Sequence, residues 1–475
     1  MFDVIVIGGG VIGGAVLREL SKYELNICLL EKENDVAMGA SKANSGIVHA
    51  GFDAPEGSLK AKFNLLGNLM MEEYAKELGV KYINNGSLVV AFSEEERVAL
   101  ENLRKRGEKN GVGGLEIIDK NELSALECHI SDKALSALHA KTGGIICPYE
   151  LTIAEIGNAM DNGAELCLNF ELSDVRKTEN GFILTSKGGE RVEGKVVVNC
   201  AGLGAEAVAN MFSDRSFKIG ARRGEYLLLD RESFGFVSHA LFFAPTKLGK
   251  GILVSPTVDG NIILGPTAEE GEWNTDTTAG GLASVIEKAK KMCPSVPVWN
   301  VITSFAGVRA YSDRHDFIIE ESPDVKGLIN CVGIESPGLT SAPAIGKYVC
   351  EELVGKMLPL TRKKSFNPIR KPDYFFKNLS VEEKCELIKK ESEYGRIVCR
   401  CEGISEGEIL RALRENPKAS DIDGVKRRTR AGMGRCQGGF CQSSVAEIIS
   451  KELKIPLSRV TKKGEGSELV LEVTK

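Results

Sequence analysis

The chain has 475 residues, a formal net charge of −5, 43% hydrophobic residues and 27% charged residues. This length is too great for one compact core, so it predicts two or three domains of ordinary soluble composition. The acidic balance, without a long basic run, argues against nucleic acid as the main partner. No apolar stretch approaches the ~18 residues that a membrane span needs.

The cysteine usage indicates a reducing compartment. Thirteen cysteines are an odd number, and Cys28, Cys200 and Cys331 lie inside apolar runs typical of strands. This pattern favours buried free thiols over a disulfide framework. The N-terminus enters a strand at once and lacks a basic segment, so we expect no signal peptide and a cytoplasmic location.

The first predicted unit is a strand, a glycine turn, a helix and a second strand. Residues 2–7 form an apolar run, and Gly8, Gly10 and Gly13 fit the spacing GxGxxG before a helical segment over 11–20. A second apolar run, 25–30, ends at Glu31. Such a unit places a pyrophosphate at the helix N-terminus, and an acid at this position can accept hydrogen bonds from ribose hydroxyls. The pattern predicts a dinucleotide site, with NAD and FAD both open.

A small, polar run follows at residues 39–51. Its composition excludes a core helix or strand before Ile47. The run therefore predicts backbone that wraps closely around a ligand, with His49 near its end.

Periodicity predicts the next elements in chain order. Helices are expected over 59–78, 93–110, 151–162 and 382–391, and strands over 143–149, 166–175, 181–186, 192–198 and 328–333. Residues 82–92 have the pattern of a strand pair that turns at Asn85-Gly86. The small residues at 199–204 fit either a second cofactor-facing turn or an ordinary loop. After the strand 328–333, a helix is expected from about Pro343, with its N-terminus towards a ligand.

Residues 222–266 favour an antiparallel sheet, which is a candidate substrate domain. Short strands are expected over 225–229, 251–256 and 261–265, with a hairpin turn at Asp259-Gly260. The same segment carries four cations, namely Arg222, Arg223, Lys247 and Lys250. They fit either an anion site or a solvated basic edge.

A cysteine-rich domain is predicted to begin near Arg396, after a basic linker over 358–374. It contains a CxC and a CxxxxC pattern, formed by Cys399, Cys401, Cys436 and Cys441. Four thiolates can hold a 2Fe–2S cluster, and CxC is tighter than the spacing of an ordinary zinc knuckle. Zinc and four unmetallated thiols remain the alternatives. Nearby positive charge would suit an anionic cluster; it comes from Arg400, Arg427, Arg428, Arg430 and Arg435.

Several stretches resemble FAD-dependent oxidoreductases of the D-amino-acid-oxidase type, over nearly the whole chain. They are NSGIVHAG (44–51), RRGEY (222–226), PTKLGKG (245–251), GPTAE (265–269), GVRA (307–310) and ESPGLTSAPAIG (335–346). L-2-hydroxyglutarate oxidases share similar NSG–HAG, RGEY and GxRA stretches. PTKLGKG and ESPGLTSAP favour the glycerol-3-phosphate dehydrogenase and oxidase branch. The GMGRCQGGFC stretch resembles a bacterioferritin-associated-ferredoxin-like domain.

The resemblance implies an α/β fold with an α+β cap. A Rossmann-like FAD-binding domain is expected to be interleaved with an antiparallel-sheet substrate domain and followed by a small helical 2Fe–2S domain. The expected bounds are 1–375 for the oxidoreductase, with FAD binding mainly at 1–80, 150–215 and 310–357 and the cap mainly at 81–149 and 216–309. A linker helix (376–395) and the ferredoxin-like domain (396–475) follow.

The resemblance also implies FAD and not NAD as the dinucleotide. The residues expected to contact it are Gly8, Gly10, Gly13, Glu31, Lys32, Ser41, Gly46, Leu172, Ala201, Gly202, Gly338, Leu339 and Thr340. The last three would present backbone N–H groups to the flavin pyrimidine, where they stabilise negative charge on the reduced ring.

The same resemblance assigns a catalytic set. His49, four residues after Ser45, would take the hydroxyl proton while hydride leaves for the flavin, a role that suits a histidine near neutral pH. Arg309 and Ser336 match substrate-contact positions. A lysine at 245–251 matches too, and spacing leaves Lys247 and Lys250 open, with Lys250 favoured.

The leading hypothesis is an FAD- and 2Fe–2S-containing glycerol-3-phosphate dehydrogenase. It would pass electrons through the cluster to a partner, expected to be a second flavoprotein or another electron-accepting subunit. The alternatives are an L-2-hydroxyglutarate-type dehydrogenase, the catalytic subunit of an amino-acid or amine dehydrogenase, and a non-catalytic redox sensor.

Overall fold

A computed structural model describes residues 1–245, 251–370 and 375–470. The strands are β1 (Phe2–Ile7), β2 (Ile27–Leu30), β3 (Ile47–Val48), β4 (Tyr82–Ile83), β5 (Ser87–Ala91), β6 (Leu115–Asp119), β7 (Ser136–Ala140), β8 (Gly144–Ile146), β9 (Glu165–Cys167), β10 (Leu172–Thr178), β11 (Gly181–Ser186), β12 (Arg191–Asn199), β13 (Ile219–Leu229), β14 (Ala240–Phe243), β15 (Leu253–Pro256), β16 (Ile262–Gly265), β17 (Glu269–Glu270), β18 (Val301–Ser312), β19 (Ile318–Glu321), β20 (Leu328–Val332), β21 (Ile397–Cys399) and β22 (Ile404–Ser405). The helices are α1 (Val11–Leu20), α2 (Leu59–Leu78), α3 (Glu94–Lys109), α4 (Lys120–Leu126), α5 (Pro148–Asp161), α6 (Ala205–Met211), α7 (Ala279–Met292), α8 (Gly338–Tyr348), α9 (Val381–Lys390), α10 (Glu406–Arg414), α11 (Ile422–Thr429) and α12 (Gln442–Leu453).

The first sheet has a parallel centre in the order β9-β2-β1-β12-β20, as expected for a Rossmann-like domain. Residues 4–7 of β1, 27–30 of β2 and 196–198 of β12 are buried and apolar, which is typical of a parallel sheet covered on both faces. Helix α1 packs between α5 and α8, and α8 also packs on α2. The contact is close because Gly67 of α2 lies where a Cβ atom would come within 1.9 Å of the Thr340 carbonyl oxygen.

The second sheet forms the cap and has the order β17-β13-β16-β15-β14-β5-β7-β6, with β18 also paired to β13. All its pairings are antiparallel except β14 with β5. The β15–β16 hairpin turns at Asp259-Gly260 as predicted. The predicted mixed architecture, a Rossmann-like domain interleaved with an antiparallel cap, is therefore confirmed.

Three local predictions were wrong. Residues 82–92 do not form a hairpin, because β4 pairs with β8 in a small sheet with β3, whereas β5 joins the cap. Residues 166–175 split into β9 and β10, which lie on opposite edges of the first sheet. Helix α8 begins at Gly338, five residues before its predicted start at Pro343, and Pro343 lies inside it.

The C-terminal part is a small helical domain built from α10, α11 and α12 beside the β21–β22 pair, with its own apolar core. The residues before it lie as a strap across the first domain, since Lys363 donates to the Asn162 carbonyl and Arg370 donates to the Ile153 carbonyl. Buried free thiols are present as predicted, Cys28 and Cys331 among them. Within the described ranges, no helix combines the length and hydropathy needed to cross a bilayer.

Candidate functional site

The glycine turn after β1 leaves room for a ligand at the N-terminus of α1. Gly8 has φ +108°, and a Cβ atom there would lie 2.5 Å from the Cys200 carbonyl oxygen. A Cβ atom on Gly13 would lie 1.9 Å from the Gly8 carbonyl oxygen, so the helix can approach the strand closely. Gly10 caps α1 without a side chain, and the Ser41 hydroxyl accepts a hydrogen bond from the N–H of Val11 (2.9 Å). A helix N-terminus that begins at a glycine N-cap, with a hydroxyl beside it, fits a pyrophosphate.

Glu31 lies at the end of β2, beside this turn. Its carboxylate accepts hydrogen bonds from the N–H groups of Gly9 (2.6 Å) and Glu33 (2.9 Å). Burial raises the pKa of the Glu31 carboxyl. Lys32 is exposed and lies 3.6 Å from Glu33, so its side chain is directed towards solvent.

A second turn follows β12 at the same edge of the sheet. The side chain of Asn199 accepts from the N–H of Ala201 (3.3 Å) and donates to the Ala205 carbonyl (3.0 Å). Gly202 is exposed, has φ +54° and has open space around the position of a Cβ atom. Leu172 is buried at the start of β10. The first and second turns meet, because Gly8 contacts Cys200 directly.

The 39–51 segment lies against the N-terminus of α8. Gly46 has φ +66° and packs on the Ile146 carbonyl, where a Cβ atom would approach to 2.5 Å. Ser45 precedes it, half-buried, next to the Asn44 side chain that accepts from the Gly46 N–H (2.9 Å). Gly338, Leu339 and Thr340 form the first turn of α8, where N–H groups have no intrahelical partners.

His49 is held through both its backbone and its ring. Its N–H donates to the Thr340 hydroxyl (2.9 Å), and its carbonyl accepts from the side chains of Asn64 (3.2 Å) and Asn68 (3.1 Å). Its Nε2 atom lies 3.3 Å from Ser336 Oγ, in a hydrogen bond whose direction depends on the tautomer. The fold therefore brings together His49 and Ser336, which are 287 residues apart in sequence.

Asn64 and Asn68 were missed by the sequence analysis. A signal was present, because Lys60, Asn64 and Asn68 recur at intervals of four and so share one face of α2. Lys60 donates to the carboxylate of Glu335 (2.9 Å), the residue before Ser336. This polar face of α2 thus contacts both loops that carry the paired side chains.

Arg309 lies on β18, in the cap. It is directly opposite Arg222 of β13, so both side chains leave the same face of the sheet. That face turns towards the 39–51 segment, because a Cβ atom on Gly307 would lie 1.9 Å from the Ala43 carbonyl oxygen. Among the described residues, the Arg309 guanidinium has no hydrogen bond or ion pair, whereas Arg222 pairs with Glu335 (3.0 Å) and Glu270 (2.8 Å). Lys247 and Lys250 lie outside the described residues.

Arg222 and Arg223, for which an anion site and a solvated basic edge were both open, are paired with carboxylates. Arg223 is buried and paired with Glu269, and it lies 3.6 Å from the buried carboxylate of Glu225. Both arginines are neutralised by carboxylates of their own surroundings. Of the three arginines Arg222, Arg223 and Arg309, the last is the one without a carboxylate partner among the residues that the structure describes.

The four cysteines of the CxC and CxxxxC patterns converge. The Sγ atoms of Cys401 and Cys436 are 3.6 Å apart. Hydrogen bonds from Cys441 and from the N–H groups of Gly432 and Glu402 lower the pKa of the Cys399 thiol to about 6, and backbone N–H groups of Phe440 and Gly438 lower the pKa of Cys436. Four thiols with backbone donors fit the ligand set of a 2Fe–2S cluster. Cys399 and Cys441 are buried, whereas Cys401 is exposed.

The five arginines noted near the thiols in the sequence are Arg400, Arg427, Arg428, Arg430 and Arg435. Four of them form ion pairs, and each of these four has a partner in the oxidoreductase part of the chain. The pairs are Arg427 and Arg428 with Asp35, Arg430 with Asp259 and Glu402, and Arg435 with Asp230 and Glu232. The positive charge therefore fixes this domain against its neighbours.

Comparisons with known proteins agree with this arrangement. Residues 3–352 match the family described as FAD dependent oxidoreductase, and residues 397–451 match the BFD-like 2Fe-2S binding domain. The chain is 48% identical to a glycerol 3-phosphate dehydrogenase of Caloramator mitchellensis over all of this chain and 99% of that protein.

A glycerol 3-phosphate oxidase of Mycoplasma pneumoniae is 33% identical over 77% of this chain and 97% of its own length. The solved structure of the dithionite-reduced L-alpha-glycerophosphate oxidase from that organism, with FAD bound, superposes with a TM-score of 0.75 at 31% identity. It covers 79% of this chain and 99% of the oxidase chain. With a family match over most of its length, this chain belongs to the FAD-dependent oxidoreductases, and it carries a BFD-like 2Fe–2S binding domain.

Proposed function

We propose that this protein oxidises sn-glycerol 3-phosphate to dihydroxyacetone phosphate and passes the electrons through a 2Fe–2S cluster to a partner. The observation that carries the proposal is the pairing of His49 with Ser336 below a cap strand that presents Arg309 without an acidic partner. A base and an anion ligand on facing elements suit an alcohol that carries a phosphate. The similarity to proteins named for glycerol 3-phosphate supports this choice of substrate.

His49 is proposed as the base for the substrate hydroxyl. Ser336 would orient the imidazole or the hydroxyl, and Ser45 would line the same space. The phosphate would be bound by Arg309 and by Lys250, because a guanidinium and an ammonium both donate charge-assisted hydrogen bonds to phosphate oxygens. FAD, when bound, accepts the hydride that leaves the carbinol carbon.

The residues proposed to contact FAD fall into three groups, one for each part of the cofactor. The pyrophosphate would meet Gly8, Gly10, Gly13 and Ser41, the adenosine end Glu31, Lys32 and Leu172, and the flavin end Gly46, Ala201, Gly202, Gly338, Leu339 and Thr340. Glu31 is already held by two backbone N–H groups at the ribose position, so it requires no rearrangement to accept further hydrogen bonds. Cys399, Cys401, Cys436 and Cys441 would hold the cluster.

The electron count suits an outside acceptor. The alcohol loses two electrons and two protons to become the ketone, and a 2Fe–2S centre carries one electron at a time, so one turnover reduces two equivalents of a one-electron acceptor. Phe440 lies between Cys436 and Cys441 in the sequence and is 86% exposed, and Cys401 is exposed as well. An exposed aromatic ring beside the thiols supports a protein partner on this face, proposed to be a second flavoprotein or another electron-accepting subunit in the cytoplasm.

The decisive experiment is anaerobic reduction of the flavin by a panel of substrates. Glycerol 3-phosphate should bleach the flavin absorbance, while L-2-hydroxyglutarate, proline and glycine should not. If L-2-hydroxyglutarate or an amino acid bleaches the flavin instead, the protein is an L-2-hydroxyglutarate-type or an amino-acid dehydrogenase. A flavin that no member of the panel reduces would favour a redox sensor.

A further inference from the structure

Arg430 joins the thiol loops to the cap through a buried set of hydrogen bonds. Its Nε donates to Glu402 (3.0 Å), and its terminal nitrogens donate to Asp259 (2.5 Å) and Asn261 (3.1 Å). The Arg430 side chain is 4% exposed and Glu402 is 2% exposed. Asp259 and Asn261 belong to the turn of the β15–β16 hairpin, whereas Glu402 follows Cys401 directly.

A second contact crosses the same interface closer to the thiols. The phenol of Tyr149 donates to the sulfur of Met433 at 3.5 Å. Met433 stands three residues before Cys436, and the next residue, Gly434, lies against Cys401, where a Cβ atom would come within 2.4 Å of the Cys401 Cβ. The cluster-domain side of this contact is therefore continuous with two of the four thiols.

The oxidoreductase side of the contact is continuous with the loop beside His49. Tyr149 is in the first turn of α5, and β8 ends three residues earlier at Ile146. The N–H of Ile146 donates to the carbonyl of Gly46 (2.9 Å), in the NSG stretch. A packed and hydrogen-bonded path thus runs from Gly46 through residues 146–149 to Met433 and the thiol loop.

We propose that the Tyr149–Met433 contact is where electrons cross from the oxidoreductase domain to the cluster loop, and that Arg430 is the positioning residue that holds the two sides together. The proposal rests on the function proposed above, since it assumes that electrons leave the flavin through the cluster. Neither Tyr149 nor Met433 changes oxidation state. They supply the packed atoms across which each single electron tunnels, and tunnelling slows steeply when a gap opens in such a path.

The role of Arg430 follows from its surroundings. Without the guanidinium, Asp259 would lose its ion pair with Arg430, and Glu402 would keep its ion pair with Arg231 (2.8 Å), so the hydrogen bonds that join the hairpin turn to the residue after Cys401 would be lost. The hairpin turn and the residue after Cys401 would then separate or admit water. Either change lengthens the path between Tyr149 and Met433 without touching His49, Ser336 or Arg309.

The experiment uses the full-length holoenzyme under anaerobic conditions. Stopped-flow absorbance would follow flavin reduction by glycerol 3-phosphate, and freeze-quench electron paramagnetic resonance would follow cluster reduction in the same mixtures. In Met433→Ala and Arg430→Gln, we expect glycerol 3-phosphate to reduce the flavin at the wild-type rate. The rate of cluster reduction in these variants should fall about tenfold or more, which is equivalent to about 1.4 kcal/mol of added barrier. Iron and sulfide content must match the wild type.

Two matched controls accompany these variants. Met433→Leu refills the space and should reduce its cluster at nearly the wild-type rate. Arg414→Gln removes an exposed arginine that pairs with Glu452 inside the same domain, and it should do likewise. Hydrogen exchange of residues 257–261 provides a readout independent of turnover, since it should rise in Arg430→Gln and not in Arg414→Gln.

The proposal and the function on which it rests fail differently. If glycerol 3-phosphate does not reduce the wild-type flavin, the proposed function is wrong, and photoreduction of the flavin can replace the substrate in the same comparison. If Met433→Ala and Arg430→Gln reduce their clusters at the wild-type rate, the crossing point lies elsewhere and the proposal is overturned. Met433→Ala keeps the test decisive if Arg430→Gln does not fold.

Discussion

His49 is the residue on which the proposed chemistry depends. Its backbone is fixed by three hydrogen bonds, so a change of side chain should leave the surrounding loop in place. We expect His49→Asn to bind FAD normally and to slow flavin reduction by about 10²-fold or more, because the base for the hydroxyl proton is lost. Anaerobic stopped-flow reduction measures this effect. His129→Asn, in a histidine that stacks on Phe236 of the cap, is the control, and unchanged kinetics in His49→Asn would exclude the base assignment.

Arg309 offers a second test at the same scale. A hydrogen bond to a charged group contributes about 1.5–3 kcal/mol, so Arg309→Ala should raise the KM for glycerol 3-phosphate about 10- to 100-fold. Arg309→Lys should recover part of the loss, because it restores a positive charge without the planar fork. Arg314→Ala, which removes an exposed partner of Glu320, is the control. A KM that is insensitive to Arg309 would point away from a phosphate ester.

At the scale of elements, the site is a meeting of α2, α8 and the 39–51 segment. The i, i+4 face of α2 reaches the His49 carbonyl, and the first turn of α8 reaches the His49 N–H. The glycine contact between α2 and α8 at Gly67 allows both helices to approach the same loop. A catalytic side chain held by two helices in this way needs little reorganisation before reaction.

Thr340 tests this element-level claim. Its hydroxyl is fully buried and accepts from the His49 N–H, so Thr340→Val leaves that donor unpaired at a cost of about 1–3 kcal/mol. We expect kcat to fall while KM changes little, because the imidazole is displaced and the anion site is not. Thr340→Ser keeps the hydroxyl and should rescue the rate. If Ser and Val variants behave alike, the hydroxyl does not position His49.

At the scale of the whole molecule, opposite charges fasten the C-terminal domain to the oxidoreductase. Asp35 is the clearest case. Burial raises the pKa of its carboxyl, but the charges and hydrogen bonds of Arg428 and Arg427 outweigh burial and lower it from 3.8 to about 2. A carboxyl with a depressed pKa stabilises the folded state above its unfolded pKa, and this stabilisation is lost as the pH falls towards 2.

The Asp35 pair therefore predicts a pH-dependent difference between variants. Asp35→Asn leaves two buried guanidinium groups without their anion and should lower the stability by about 3–5 kcal/mol at pH 7. The gap in melting temperature should persist down to about pH 4 and narrow below it, because the wild type then also loses the charge. Asp174→Asn, in an exposed carboxyl of β10, should show no gap. A gap independent of pH between 4 and 2 would refute the ionic account.

The cluster-binding domain gives the last prediction. Cys436→Ser should leave flavin reduction by substrate intact and should abolish turnover with the physiological electron acceptor, because the single-electron carrier is lost. The isolated wild-type protein should consume oxygen slowly and reduce artificial dyes readily. Stopped-flow reduction beside steady-state turnover with the reconstituted partner separates these steps. Turnover at the wild-type rate in the cluster-free variant would make the domain structural.

Patterns over a few residues predicted correctly those elements whose structure depends mainly on residues near one another in the sequence. The glycine turn, Glu31 at the end of β2 and the fully helical 59–78 segment follow from spacing within a few residues. The same reasoning misassigned β4 and β5 as a hairpin, because the turn at Gly86 joins strands whose hydrogen-bond partners, β8 and β7, lie farther along the chain. It also placed the start of α8 at Pro343, whereas the helix begins at Gly338 and continues through this proline at the loss of one intrahelical hydrogen bond.

The composition, the GxGxxG turn, the NSG–histidine stretch and the four cysteines were legible from the sequence, because each requires particular residue types at short spacing. The sequence did not predict which distant side chains form ion pairs and hydrogen bonds with one another. His49 and Thr340 are 291 residues apart, and Asp35 and Arg428 are 393 residues apart. Such pairs form because sheets and helices bring distant segments together, and no local periodicity records them. Only the tertiary structure showed that arginines of the cysteine-rich domain form ion pairs with the oxidoreductase part of the chain.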